Sequence, residues 1–235
     1  MKVPVDAERP LRVLASIGST QDEAARILRS GEHCGAVLAH DQTGGRGRHG
    51  RRWLARAGDS LAVSMIFRDY ANHPAPWLPG MAVGIAAAQA GAVRLRWPND
   101  LFWQGRKVGG ILTEVVDGVP IVGLGVNLNQ MVFPAEIANI ATSISLASGA
   151  SFAPEAFFAR FLERLAALPE PESWSDLEPV WRPLDRTPGK IYRLPDGREA
   201  VAERLDGDGF TSIGKTVNLS GGPVEGTPNR LQIAP

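Results

Sequence analysis

The sequence has little cysteine, no net charge and no long apolar run. Cys34 is the single cysteine among 235 residues, which excludes an internal disulfide framework and is typical of a reducing compartment, so we expect a cytoplasmic protein. Twenty-five basic side chains balance 25 acidic ones, and bulk charge therefore gives no reason to expect DNA or a membrane surface as a partner. Residues 81–93 are too short and too interrupted to span a bilayer.

Lysine is rare beside arginine. Four of the 25 basic residues are lysines, namely Lys2, Lys107, Lys190 and Lys215, and all the others are arginines. An ammonium group is a compact point charge, whereas a guanidinium is a planar fork of donors. In such a chain a retained lysine indicates a local need for a compact cation, with chance retention as the alternative.

Apolar periodicity divides the first 186 residues into strands and helices. Strands are predicted at residues 11–17, 36–39, 60–67, 93–97, 108–116 and 119–126, the last two joined by a turn at Asp117-Gly118. Helices are predicted at residues 20–29, 79–90, 154–168 and 174–181. The first helix follows two hydroxyl residues with near-capping-box spacing and ends at Gly31.

The texture of the sequence changes after residue 186. Short strands are predicted at residues 191–194, 200–205, 210–213, 217–219 and 231–234, with turns at 195–197 and 206–209. Five short strands in such a short segment are typical of a small barrel. We therefore predict two domains, residues 1–186 and residues 187–235.

The segment TGGRGRHGRRW, residues 43–53, holds four glycines and four arginines. Glycines allow successive backbone N–H groups to line a concavity that holds an anion, and arginines add donors that match carboxylate or phosphate oxygens. We expect the loop to be mobile when empty and ordered when occupied. A solvated surface loop and an Arg-Gly contact to nucleic acid are the alternatives, whereas the spacing does not fit a Walker loop.

Three further segments place polar residues beside strands. RWPNDL, residues 96–101, puts Asn99 and Asp100 after a strand, although these two residues also favour a simple turn. RKVGGIL, residues 106–112, places Lys107 before two glycines that allow close backbone approach, with an exposed turn lysine as the alternative. GLGVNLN, residues 123–129, ends an apolar strand in asparagine, with glycines that would let a flat ligand lie against it.

In their order and spacing these motifs resemble the biotin–protein ligases. The likeness is carried by Ser-Thr-x-x-Glu at residues 19–23, GRGRHGRRW at 45–53, RWPNDL at 96–101, KVGGIL at 107–112 and GLGVNLN at 123–129. The resemblance implies an α+β fold of the class II synthetase type, in which a mixed β-sheet is flanked by helices. It also implies a small C-terminal SH3-like β-barrel, which agrees with the boundary placed near residue 186.

The resemblance also implies a two-step reaction. Biotin and ATP give biotinyl-5′-AMP with the help of Mg²⁺, and a lysine of a biotin carboxyl carrier protein of an acyl-CoA carboxylase then displaces AMP. The catalytic residues implied are Lys107, Arg46 and Arg48. The biotin-binding residues implied are Ser19, Thr20, Gln21, Gln42, Arg46, Gly47, Arg48 and Lys107. ATP and the adenylate are expected to contact Arg48, Arg51, Trp53, Lys107 and Asn127, while Asn99 and Asp100 position the incoming lysine or a metal.

Two positions depart from the family pattern. Gln21 stands where asparagine is usual, so one biotin contact is expected to shift, and Thr43-Gly44 is less bulky than in some members. The Ser-Thr motif begins at residue 19, which leaves no room before it for the helix-turn-helix of some relatives, so we expect no operator binding. Whether the chain forms a homodimer is left open.

Three alternatives remain beside this interpretation. A lipoate or octanoate attachment enzyme of the same fold would need a long apolar slot and a different loop. A nucleic-acid-binding module that uses the Arg-Gly loop would need basic residues interleaved with aromatics and a basic net charge. A family member that binds biotin without activating it is disfavoured by the intact loop arginines and Lys107.

Overall fold

The computed structural model describes residues 1–53, 56–193, 199–205, 211–217 and 223–224. The strands are β1 Leu11–Ile17, β2 Ala36–Gln42, β3 Ser60–Ile66, β4 Arg94–Arg96, β5 Asp100–Trp103, β6 Arg106–Val116, β7 Val119–Asn127, β8 Ile191–Arg193, β9 Glu199–Leu205, β10 Thr211–Val217 and β11 Pro223–Val224. The helices are α1 Thr20–Ser30, α2 Leu78–Gly91, α3 Ile144–Ser148, α4 Pro154–Ala166 and α5 Trp174–Trp181.

A seven-stranded mixed sheet organises residues 11–127. Its strand order is β1-β2-β3-β7-β6-β5-β4. The pair β1 and β2 is parallel, because α1 carries the chain back between them, and the other neighbours are antiparallel. The predicted mixed sheet flanked by helices is thus confirmed.

The N-terminal helix α1 begins and ends where the sequence predicts. Ser19 is its N-cap, with its hydroxyl accepting a hydrogen bond from the backbone N–H of Asp22 at 3.4 Å. Gly31 ends the helix in the left-handed region at φ 72°, where a glycine carries no Cβ penalty.

Side chains alternate along the central strands, so one face of the sheet packs into the core and the other faces the cavity. On β7, Val122, Leu124 and Val126 join the main core, while Gly123, Gly125 and Asn127 face the other way. The main core packs the alanine-rich α2, whose residues are almost all buried, against the sheet and against α4. Phe157 and Phe161 of α4 are fully buried there, each worth about 1.5–3 kcal/mol of hydrophobic stabilisation.

Two of the strands and α-helices within residues 1–186 were not predicted from the sequence, strand β5 and helix α3. Residues 97–99 form a turn, and Asp100 then opens strand β5, which pairs with β4 and β6. Helix α3, with Ser143 as its N-cap, lies in a stretch for which the sequence predicted no element. Both are short, and the four residues of β5, which forms hairpins with the strands directly before and after it, are too few to show a clear strand alternation.

The C-terminal strands form a separate antiparallel sheet in the order β11-β10-β9-β8. Strands predicted near residues 191–194 and 200–205 correspond to β8 and β9. Residues 211–217 form one strand, β10, where the sequence predicted two strands at 210–213 and 217–219, whose residues 210, 218 and 219 lie outside the described part of the chain. The predicted turns at 195–197 and 206–209 and the strand at 231–234 lie outside the described residues.

Within the described parts of the chain, no helix is both long and apolar enough to cross a membrane.

Candidate active site

A cavity of about 830 Å³ opens on the face of the sheet that α1 covers only in part. Its floor is formed by Gly123 and Gly125 of β7, Gly110 of β6, and Ala62 and Ser64 of β3. A Cβ added to Gly110 would lie 3.2 Å from Lys107 Nζ, and one added to Gly123 would lie 2.9 Å from Gln21 Oε1. The glycines therefore keep the floor flat and let polar side chains reach across it.

The glycine-arginine segment folds as a small hairpin over this floor. The N–H of Gly47 donates to the carbonyl of Arg51 at 2.7 Å, and the N–H of Trp53 donates to the carbonyl of Gly45 at 2.8 Å. Residues 48–50 form the turn, in which His49 and Gly50 adopt left-handed backbone angles. The backbone N–H groups of Gly47 and Trp53 are thus used within the hairpin, contrary to the expected open row of donors. The arginine side chains of the hairpin are then the donors that remain for an anion.

Trp53 closes the hairpin onto the floor. Its indole lies so close to Gly125 that a Cβ added there would overlap the ring. The indole N–H is buried and has no hydrogen-bond partner among the described residues. A buried donor of this kind favours a ligand that brings an acceptor.

The two inner arginines of the hairpin have different surroundings. Arg46 forms a bidentate ion pair with Asp22 on α1, at 2.7 and 2.8 Å, and lies 4.0 Å from Glu114. The hydrogen bond with Asp22 raises the pKa of Arg46 above its ordinary value. Burial lowers the pKa of Arg48, opposed by the charge of Asp100. Arg48 is therefore the partly desolvated cation of the cavity, which strengthens its attraction for an anion.

A network of buried polar groups forms one end of the cavity. The N–H and hydroxyl of Thr20 both donate to Gln42 Oε1, at 2.8 and 3.0 Å, and the Thr20 hydroxyl lies 2.9 Å from that of Ser64. Ser64 in turn donates to Gln21 Oε1 at 2.9 Å, and Gln21 Nε2 donates to the carbonyl of Ile121 at 3.1 Å. Ser19 borders the same end while it caps α1. The longer side chain of Gln21 thus reaches back to the sheet.

Lys107 approaches the cavity from the start of β6. Its Nζ lies 2.5 Å from Asp100 Oδ1, and both side chains are partly exposed to the cavity. Asn99 donates from Nδ2 to the carbonyl of Ile111 at 2.9 Å, and its own carbonyl accepts from the N–H of Ile111 at 2.8 Å. These bonds tie the start of β5 to β6, so the ammonium group and the carboxylate are held together.

Asn127 ends β7 at the far side of the cavity. Its Nδ2 donates to the carbonyl of Thr142 at 3.1 Å, and the side chain is buried. The bond fixes the orientation of the carboxamide at the end of the strand.

Every predicted site residue lines this one cavity. These are Ser19, Thr20, Gln21, Gln42, Arg46, Gly47, Arg48, Arg51, Trp53, Asn99, Asp100, Lys107 and Asn127. The sequence interpretation missed Ser64, the apolar segment with Phe133, Ile137 and Ile140, and Tyr192. Strand alternation could have assigned Ser64 to this face, because it lies two residues from Ala62. The other four carry no motif that marks them.

The chain belongs to the Biotin/lipoate A/B protein ligase family, whose sequence profile matches residues 13–130. The resemblance drawn from the motifs is therefore confirmed. Among individual proteins, the chain is 35% identical over 240 residues to the Biotin--[acetyl-CoA-carboxylase] ligase of Mycobacterium tuberculosis, an alignment that covers 92% of this chain and 88% of that protein.

Solved structures show the same fold. Biotin protein ligase from Aquifex aeolicus in complex with biotin and ATP superposes with a TM-score of 0.65 at 24% identity, over 94% of this chain and 99% of that one. A point mutant of the same Aquifex aeolicus enzyme in complex with biotin gives a TM-score of 0.68 at 25% identity, over 94% of each chain.

Proposed function

We propose that the protein is a biotin protein ligase, an enzyme that activates biotin with ATP and transfers it to a lysine of an acceptor protein. The observation that carries this proposal is the polarity of the cavity. Amides and hydroxyls gather beside Gly123, whereas Arg48 and the Lys107–Asp100 pair gather on the side of Gly110, with the glycine floor between them. Biotin has the same arrangement, with a neutral ureido ring at one end and a carboxylate at the other.

The polar end recognises the ring of biotin. A ureido group presents both N–H donors and a carbonyl acceptor, and Ser19, Thr20 and Gln42 offer hydroxyl and amide groups of both kinds. Ser19 and Thr20 are buried, Thr20 is hydrogen-bonded to Gln42, and Ser19 accepts from the N–H of Asp22, so these groups hold fixed positions before the ligand arrives. Gln21 supports the network from beneath.

The cationic end brings two anions together. A carboxylate oxygen of biotin attacks the α-phosphorus of ATP, the bond from that phosphorus to the bridging oxygen breaks, and pyrophosphate leaves with the electron pair. The approach of a carboxylate to a triphosphate is opposed by Coulomb repulsion, which fixed cations offset. In this proposal Lys107 supplies a point charge that contacts both groups, while Arg46, Arg48 and Arg51 hold carboxylate and phosphate oxygens. The backbone at Gly47 lets the hairpin approach the ligand.

The second step transfers the acyl group. The amine of the acceptor lysine attacks the carbonyl carbon of biotinyl-5′-AMP, the bond to the phosphate oxygen breaks, AMP leaves and the amine loses a proton. We propose that Asn99 and Asp100 position this amine, that Asn127 contacts adenine, and that Trp53 shields the adenylate from water. The acceptor is a biotin carboxyl carrier protein of an acyl-CoA carboxylase.

Mg²⁺ is the cofactor expected with ATP, and the cavity suits it in one respect. The described residues hold no cluster of three metal-binding side chains, but Mg²⁺ in nucleotide sites is held by one or two carboxylates together with phosphates and waters. Asp100 is the carboxylate that would hold the ion. Bound there, Mg²⁺ would neutralise phosphate charge during the attack.

Three further features belong to this proposal. We assign residues 1–186 to the catalytic domain and 187–235 to an SH3-like domain, supported by the separate four-stranded sheet. The protein acts in the cytoplasm, where its substrates lie and where Cys34 stays reduced. The edge strand β1, with half-exposed Val13, offers a surface through which two copies could pair as a homodimer.

Release of pyrophosphate from ATP, measured with biotin, lipoate or octanoate, tests this function. We expect biotin alone to stimulate release, because the inner end of the cavity is polar and a long apolar chain would leave its donors unpaired. Stimulation by lipoate or octanoate instead would assign the chain to the other branch of its family. Tight binding of biotin without any release would leave a biotin-binding protein.

A further inference from the structure

Residues 184–187, which lie between the two sheets in the chain, are bonded to residues 95–97, which lead into the cavity wall at Asn99 and Asp100. The N–H of Leu95 donates to the carbonyl of Leu184 at 3.0 Å, and the N–H of Arg186 donates to the carbonyl of Leu95 at 2.7 Å. Residues 184–186 thus pair with the edge strand β4, the last strand of the large sheet.

Past the end of β4, two side chains take over from this backbone pairing. The N–H of Trp97 donates to the hydroxyl oxygen of Thr187 at 2.8 Å, and the hydroxyl of Tyr192 donates to the carbonyl of Trp97 at 2.7 Å. The rings of Trp97 and Tyr192 also meet edge to face, with centroids 5.7 Å apart. The Trp97–Thr187 bond is buried and the Tyr192–Trp97 bond is partly buried, so both are worth more than fully exposed bonds.

Trp97 connects this contact to the reacting end of the cavity. Asn99 and Asp100 follow it in the chain, and Asp100 pairs with Lys107 at 2.5 Å. Tyr192 itself lines the cavity. A movement of the Trp97 peptide would therefore be passed along three residues to the carboxylate that holds the lysine.

We propose that Tyr192 is a positioning residue for biotin activation, which it serves by holding Trp97 and thereby the Asp100–Lys107 pair. This inference rests on the proposed function. It assigns the C-terminal sheet, through strand β8, a part in placing the lysine of the catalytic cavity. Burial raises the pKa of the Tyr192 phenol, which keeps the hydroxyl protonated and able to donate near neutral pH.

The chain offers a matched control. It contains two tyrosines, and the other, Tyr70, also donates from its hydroxyl to a buried carbonyl, that of Pro171, at 3.0 Å. Tyr70 lies among the core residues and away from the cavity lining. Tyr192→Phe and Tyr70→Phe therefore each remove one phenol–carbonyl hydrogen bond, but only the first bond leads to Lys107.

The test compares the two variants in biotin-dependent pyrophosphate release. Loss of one buried hydrogen bond is worth about 1 kcal/mol, so we expect Tyr192→Phe to lower kcat by roughly fivefold to tenfold with the KM for biotin unchanged. Tyr70→Phe should lower the melting temperature about as much as Tyr192→Phe does, because each variant loses one hydrogen bond, but it should leave kcat unchanged. Thr187→Val should reproduce the loss in kcat, and Thr187→Ser, which keeps the hydroxyl, should restore it. Wild-type kcat in Tyr192→Phe would overturn the inference.

Amide hydrogen exchange separates this inference from the proposed function. In Tyr192→Phe we expect faster exchange across residues 95–107, and in Tyr70→Phe no change in that segment. Unchanged protection there in Tyr192→Phe would overturn the inference even in an active enzyme. A wild-type protein without biotin-dependent release would instead contradict the proposed function, and the exchange result would still decide whether Tyr192 holds this wall.

Discussion

At the scale of single residues, the flat cavity floor depends on glycines, which have no side chain. An added methyl group at Gly125 would overlap the Trp53 ring, so Gly125→Ala must push the indole off the floor. Overpacking of this kind costs about 1–3 kcal/mol, and we expect kcat/KM for biotin to fall roughly tenfold or more. Steady-state kinetics measure this. Gly18→Ala is the control, because a Cβ at that position meets nothing within 4 Å. Equal kinetics in the two variants would contradict the assigned place of Trp53.

At the scale of elements, the start of helix α1 serves two purposes that mutation can separate. Ser19 caps α1 and also borders the cavity, whereas Ser173 caps α5 in a capping box with Asp176 and lies outside the cavity lining. Loss of either cap costs about 1 kcal/mol of folding stability. We expect Ser19→Ala and Ser173→Ala to lower the free energy of unfolding alike, as measured by urea denaturation. Only Ser19→Ala should weaken biotin binding in calorimetry; unaltered binding would leave Ser19 as a cap alone.

The other end of α1 carries a pH-dependent contribution to stability. Glu32 lies 2.6 Å from both Arg26 and Arg12. The hydrogen bond with Arg26 has the largest effect and that with Arg12 the next, and they lower the pKa of Glu32 from an ordinary value of 4.5 to about 2. A carboxyl group whose pKa is lower in the folded state stabilises the fold at pH values above its pKa in the unfolded chain. This stability is lost as the pH falls through the pKa of the folded state. We therefore expect Glu32→Gln to be less stable than wild type at pH 7, with the difference shrinking between pH 4.5 and pH 2. Melting temperatures that differ equally at all pH values would contradict this.

At the scale of the whole molecule, the sequence predicted the large elements and the residues of the site but not what holds them. Glycines, arginines and Lys107 stand close together in short motifs, so their pattern is visible along the chain. Asp22, which pairs with Arg46, and Tyr192, which holds Trp97, contact their partners only through tertiary packing. Strand β5 was missed for a different reason, because it has only four residues, although the strands it pairs with are its neighbours in the chain.

We propose that this molecule forms an adenylate of biotin at a centre that contains Lys107. The most direct measurement incubates the protein with biotin and ATP labelled at the α-phosphate, and follows labelled biotinyl-5′-AMP in wild type, Lys107→Ala and Lys2→Ala. Lys2 is an exposed lysine that pairs with Asp69 at 3.3 Å, and surface pairs of this kind contribute little.

We expect labelled adenylate from the wild type and from Lys2→Ala, and about 10²- to 10³-fold slower formation in Lys107→Ala, the typical effect of removing one well-placed charge donor. Equal rates of adenylate formation in wild type and Lys107→Ala, or no labelled adenylate from the wild type, would contradict the account.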